Sequence, residues 1–114
     1  MVTLYGIPNC DTVRKARKWL TAHQIEHHFH DVRKDGLESN TLTDWESKAG
    51  WETLLNRRGT TWRKLDDATK TSVNKDAAIQ LMLKEPTLIK RPVLEHDNQI
   101  TVGFSEINYN SIFE

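Results

Sequence analysis

This chain has one cysteine among 114 residues. A lone thiol cannot close an internal disulfide, so Cys10 is either an inert packing group or a nucleophile whose partner comes from another molecule. It stands between a strand-like run, Val2-Thr3-Leu4-Tyr5, and a helical pattern in which Val13, Ala16 and Leu20 recur on one face. A helix N-terminus presents unpaired N–H groups and partial positive charge, which favours thiolate over thiol. A free cysteine titrates near about 8.5, and such positions lower it to roughly 3.5–7.5. Arg14, one turn on, is a candidate to stabilise the thiolate or an anionic substrate. Asp11 opposes this if its carboxylate points inward. The competing reading is a buried cysteine acting as a small hydrophobe.

Arg91-Pro92 is a second feature. Proline biases Arg91 toward extended backbone and suits the start of a strand, whether its peptide bond is trans or the rarer cis form. From Arg57 to Arg91 there are nine Lys and Arg against four acids, an excess of five. That excess suits either a small-anion site or a solvated helical face. His23, His27, His28 and His30 cluster near one segment, and strand alternation would place His28 and His30 on one face. No carboxylate or cysteine at familiar ligand spacing completes a metal site there, so none is expected. Trp19, Trp45, Trp51 and Trp62 read as packing residues.

The elements that must position these residues follow from periodicity. Val2–Tyr5 is a strand, Gly6-Ile7-Pro8-Asn9 a loop, and the helix from Cys10 has Asn9 or Asp11 as its candidate cap. A second strand is expected over about Ile25 to Asp31, which makes a βαβ unit with a parallel pair. Between about Leu37 and Glu85 the pattern is helical throughout. One helix carries Leu42, Trp45 and Ala49 and stops at Gly50; another starts with Trp51, Leu54 and Leu55. Trp62 and Leu65 belong to a third segment, and Ala78, Leu81 and Met82 to a last one that Pro86 terminates. Val93-Leu94-Glu95-His96 and Ile100-Thr101-Val102 read as strands joined at Asp97-Asn98 by a tight hairpin. Ser105 is suited to cap a final helix with Ile107, Ile112 and Phe113. The order βα-β, helical block, ββ-α is that of a thioredoxin-like α/β fold. Its mixed four-stranded sheet would carry a helical subdomain inserted at about 37–85.

Composition narrows the function. Sixteen Lys and Arg balance sixteen Asp and Glu, so no net basic field draws the chain to nucleic acid or anionic lipid. No apolar run approaches the ~20 residues of a membrane span. Met1 leads straight into a strand-like run without the regions of a signal peptide, so a cytoplasmic protein is expected.

The motifs Tyr5-Gly6-Ile7-Pro8-Asn9-Cys10-Asp11-Thr12, Trp51-Glu52-Thr53-Leu54-Leu55-Asn56, Arg58-Gly59-Thr60-Thr61-Trp62-Arg63-Lys64-Leu65, Pro86-Thr87-Leu88-Ile89-Lys90-Arg91-Pro92-Val93 and Gly103-Phe104-Ser105-Glu106 carry a resemblance over nearly the whole chain. The sequence resembles the arsenate reductase family of the thioredoxin-like superfamily, in its YffB branch related to the Spx regulators. The resemblance implies that Cys10 is the nucleophile and that Pro92 is the family's cis-proline beside it. It implies that Arg91 stabilises the thiolate or a bound anion. Arg58 matches the arginine that the family places over the site from the helical insert, and Arg14 completes a Cys-x-x-x-Arg pattern. Arg14, Asn9 and Pro92 are expected to contribute to substrate binding. Two departures bear on function. Glutathione-coupled arsenate reductases have another arginine just before the last Ser-Glu, where this chain has Val102-Gly103-Phe104. Spx-type regulators often have Cys-x-x-Cys, where this chain has Val13.

The expected function is a glutathione-linked thiol reductase that works through a Cys10 mixed disulfide. It would be monomeric, with no bound cofactor and with glutathione as co-substrate. The resolving thiol would come from glutathione or a glutaredoxin-like protein. Arsenate reduction coupled to glutathione and glutaredoxin is one alternative. A non-enzymatic Spx-like regulator that binds RNA polymerase or another protein is the other.

Overall fold

The computed structural model describes residues 2–114 and divides the chain into two compact units. The first comprises the residues up to Val32 together with Arg91–Glu114, and the second is Arg33–Lys90. The second unit therefore begins earlier and ends later than the 37–85 insertion read from periodicity. Its flanks are loops and a 3-10 turn, which carry no helical repeat for a sequence to show.

In the first unit, β1 (Thr3–Gly6), α1 (Asp11–Ala22), β2 (His28–Asp31), β3 (Val93–His96), β4 (Gln99–Val102) and α7 (Glu106–Phe113) form a mixed sheet and two helices. The strand order is β2-β1-β3-β4. β1 and β2 are parallel, as a βαβ crossover demands, and the β1/β3 and β3/β4 pairs are antiparallel. Register places Leu4 beside Phe29 and Leu94, so these share one sheet face. Leu4 and Leu94 cluster with Val2, Ala16, Trp19, Leu20 and Tyr109, and Phe29, Phe104, Ile112 and Phe113 pack at the margin. The α1 stripe of Val13, Ala16 and Leu20 is wholly buried, with Trp19 added to it. In the hairpin, Asp97 and Asn98 have φ of 50° and 63°, the pair of left-handed residues that a two-residue turn between twisted strands requires. Ser105 accepts a hydrogen bond from the Asn108 N–H and caps α7, although Ile107 in that helix faces solvent.

Two expectations are corrected here. β2 starts at His28 and not at Ile25. The Ile25 N–H donates to the Leu20 carbonyl at 3.0 Å and Gln24 adopts φ 58°, so this stretch closes α1 before the strand begins. Neither Asn9 nor Asp11 caps α1: Cys10 itself is the N-cap residue, and Asp11 pairs with Arg14.

In the second unit, α2 (Ser39–Ala49), α3 (Trp51–Leu54) and α6 (Lys75–Lys84) pack on one another. Leu42, Trp45, Leu54, Leu55, Ala78 and Met82 are buried. Gly50, at φ 83°, ends α2 as its place in the sequence suggests. Asn74 caps α6 through the Ala77 N–H. Two short helices, α4 (Thr60–Arg63) and α5 (Asp67–Thr71), lie between α3 and α6, and a 3-10 turn (Pro86–Leu88) follows α6. The block is not wholly helical. Leu55 forms an antiparallel bridge to Ile89, extended by bonds from Asn56 N–H to Leu88 C=O (2.7 Å) and from Lys90 N–H to Leu54 C=O (2.8 Å). Pairing between segments this far apart leaves no local periodicity.

Candidate active site

Cys10 sits where the chain leaves β1 through Gly6–Asn9 and turns into α1. Two local features set that turn. A Cβ on Gly6 would lie 2.7 Å from Val13 Cγ2, so only glycine lets the first turn of α1 approach the end of β1 this closely. The Arg14 N–H donates to the Cys10 carbonyl at 2.9 Å, which starts the helix at the thiol.

The thiol stands where a capping side chain would stand. It is half-buried and free. Burial pushes its pKa up. The Val13 N–H, a hydrogen bond and the positive charge of Arg91, and the Thr12 N–H outweigh that push and hold the thiol below its ordinary value. Arg91 reaches this place because its strand neighbours are fixed: Val93 pairs with Tyr5, the Arg91–Pro92 peptide is cis, and the Pro92 carbonyl accepts from the Gly103 N–H at 2.8 Å. Pro92 is buried and Arg91 half-buried. A nucleophilic sulfur with a fixed guanidinium beside it is equipped to attack an electrophilic sulfur and to hold an anion near it.

The structure sorts the expected site residues. Cys10, Arg91 and Pro92 come together. Asn9 is exposed in the turn before the thiol. Arg14 does not act on the thiol: its guanidinium pairs with the Asp11 carboxylate, and both side chains are exposed. The i, i+3 spacing of two opposite charges is satisfied locally before a longer reach is made. Asp11 is thereby paired at the surface. Arg58 is exposed in the loop between α3 and α4 of the second unit.

Sequence reasoning missed the Thr12 and Val13 amides, which any residue type supplies, and Gly6, whose role is to be small. It also missed the group Tyr5, His30 and Glu95: Tyr5 Oη donates to Glu95 at 3.2 Å and its ring lies 4.8 Å from that of His30. Strand alternation in β1 and β2 was the available signal. His28 and His30 do share a face of β2, but among the described residues no group of three His, Cys, Asp or Glu is placed to hold a metal ion. No helix among them is long and apolar enough to cross a membrane.

A mixed four-stranded sheet with a half-buried thiol at the start of its first helix, beside a cis-proline, defines a thioredoxin-like protein. The family model of the ArsC family matches residues 5–112, and the chain belongs to that family. It is 50% identical over 113 residues to a Haemophilus influenzae protein, covering 99% of each. A solved structure named YFFB protein superposes with a TM-score of 0.96 at 45% identity and covers 100% of both chains. The chain is also 32% identical over 109 residues to a Streptococcus pyogenes protein named global transcriptional regulator Spx, covering 93% of this chain and 80% of that one. At the level of the family, the chemistry these likenesses support is that of a thiol oxidoreductase.

Proposed function

We propose that this protein is a glutathione-linked thiol reductase with Cys10 as nucleophile. The observation that carries the proposal is the thiol itself: half-buried, free, and held below its ordinary pKa by Arg91 and the amides of α1. The Cys10 thiolate attacks the glutathione sulfur of a mixed disulfide, forming Cys10–S–S–glutathione and releasing the other half as a thiolate that takes a proton from solvent. A second glutathione thiolate then attacks the glutathione sulfur of that adduct. Oxidised glutathione leaves and the Cys10 thiolate is restored. Electrons balance, since one disulfide is reduced and another formed. With no second cysteine in the chain, the resolving thiol has to come from glutathione or from a glutaredoxin-like protein. Arg91, beside the sulfur, binds a carboxylate of glutathione. The setting is the cytoplasm, where glutathione is kept reduced.

Turnover of a small glutathione mixed disulfide with free glutathione as reductant tests this. Wild type should turn over, and Cys10→Ser should lose all catalysis while keeping the fold by circular dichroism. Full activity in Cys10→Ser would falsify the mechanism. Arsenate is a less suitable acceptor, because Val102-Gly103-Phe104 lacks the arginine that would add a charge-assisted contact to the oxyanion. Arsenate-dependent oxidation of glutathione in the presence of glutaredoxin would reverse that ranking.

The 32% identity to a protein named as a transcriptional regulator favours one second reading, a module that binds RNA polymerase or another protein. A partner retained from lysate equally by wild type and Cys10→Ser, in a protein that forms a glutathione adduct without turning over, would establish it.

A further inference from the structure

A groove in the first unit lies apart from the thiol: Cys10, Arg91 and Pro92 do not line it. One wall is α1 from Lys15 onward, with Lys18, Trp19 and His23, and the other is the segment from Phe104 to Glu106 that enters α7. Its volume of about 530 Å³ suits a small organic molecule. The apolar lining is aromatic and already held in place. The Trp19 and Phe104 rings both stand edge-on to the buried Tyr109, at centroid distances of 5.4 Å and 4.7 Å. His23 stacks on Trp19 at 3.9 Å, and its Nδ1 donates to the Trp19 carbonyl at 2.9 Å. A ring arriving here meets a surface that needs no ordering first. Around these rings the charges are split between the walls. Lys15 and Lys18, three residues apart on α1, are on one, and Glu106 is on the other. All three are exposed, and among the described residues none of their side chains has an ion-pair or hydrogen-bond partner.

We propose that this groove binds a small aromatic zwitterion, of the chemical class of the aromatic amino acids. Its carboxylate is taken by Lys15 and Lys18, its ammonium by Glu106, and its ring by Trp19 and Phe104. Exposed ion pairs are individually weak, so affinity comes from the ring contact and both charges acting on one ligand. Selectivity follows from the same arrangement. An aromatic carboxylate without an ammonium meets Glu106 as a like charge, and an aromatic amine without a carboxylate meets two lysines.

Nuclear magnetic resonance titration of the isotope-labelled full chain reads this site without reference to turnover. L-Phenylalanine and L-tryptophan should shift the Lys18, His23, Phe104 and Glu106 amides and the Trp19 indole, with saturation in the millimolar range. Phenylacetate and phenethylamine, each lacking one charge, should bind about three- to tenfold more weakly. Two variants then give effects of opposite sign. Glu106→Gln should weaken L-phenylalanine about two- to fivefold and tighten phenylacetate, and the double variant Lys15→Gln/Lys18→Gln should weaken L-phenylalanine without weakening phenethylamine. Loss of fold would weaken every probe together, and the spectrum itself reports it. The absence of saturable shifts at these resonances by about 20 mM of either amino acid overturns the site. Saturable binding in which L-phenylalanine and phenylacetate respond alike to Glu106→Gln overturns the zwitterion.

Discussion

The charge state of Cys10 depends on one guanidinium and two amides working against burial, and the guanidinium is the one that a side-chain truncation removes. Alkylation of Cys10 by iodoacetamide should rise with pH and reach half its plateau below the ordinary thiol range. In Arg91→Met the favourable charge and the hydrogen bond are both lost, so that midpoint should move up in pH; a midpoint that stays put would remove Arg91 from the site. Tyr109 gives a second titration at this scale. Its side chain is fully buried among Trp19, Phe104 and Phe113, its hydroxyl has no hydrogen-bond partner among the described residues, and burial pushes its pKa well above that of a free phenol. The folded state therefore keeps a proton that the unfolded chain releases above about pH 10, and stability falls as pH rises past that point. Tyr109→Phe should be at least as stable as wild type at pH 7 and should unfold at higher pH in an alkaline titration. Greater loss at pH 7 would mean that the hydroxyl has a partner.

At the scale of elements, the site depends on how closely α1 approaches β1. Gly6→Ala places a methyl against a branched, fully buried Val13 that cannot swing aside, and it should destabilise the protein by about 1–3 kcal/mol in urea unfolding. An unchanged midpoint would show that the helix start relaxes freely. Much of this level was legible from residues alone. The Val13, Ala16 and Leu20 stripe, the hairpin residues Asp97 and Asn98, and the Ser105 cap each carry their own local signal and fall where that signal puts them. What stayed hidden depends on partners distant in sequence. Ile25 looks like a strand residue by type, but its amide is taken by Leu20. Leu55 looks helical by context and instead pairs with Ile89. Arg14 has the right spacing from Cys10 and is claimed by Asp11.

Across the whole molecule, two sets of buried side chains carry stability, one in each unit. Leu4→Ala in the first should cost about 2–5 kcal/mol and Trp45→Ala in the second about 3–5 kcal/mol, both being fully buried. Either is a large share of the roughly 5–15 kcal/mol that holds a domain folded. Urea unfolding followed by far-ultraviolet circular dichroism would check both, and a loss under about 1 kcal/mol at either position would place that residue outside the core. The order of elements, the thioredoxin-like class and the lone thiol at the head of a helix follow from periodicity, turn chemistry and composition, because these are properties of neighbouring residues. Which cation meets the sulfur does not follow from them. Arg14 is four residues from Cys10 and Arg91 is eighty-one, and Arg91 is the one that acts on the thiol because strand pairing brings β3 beside β1.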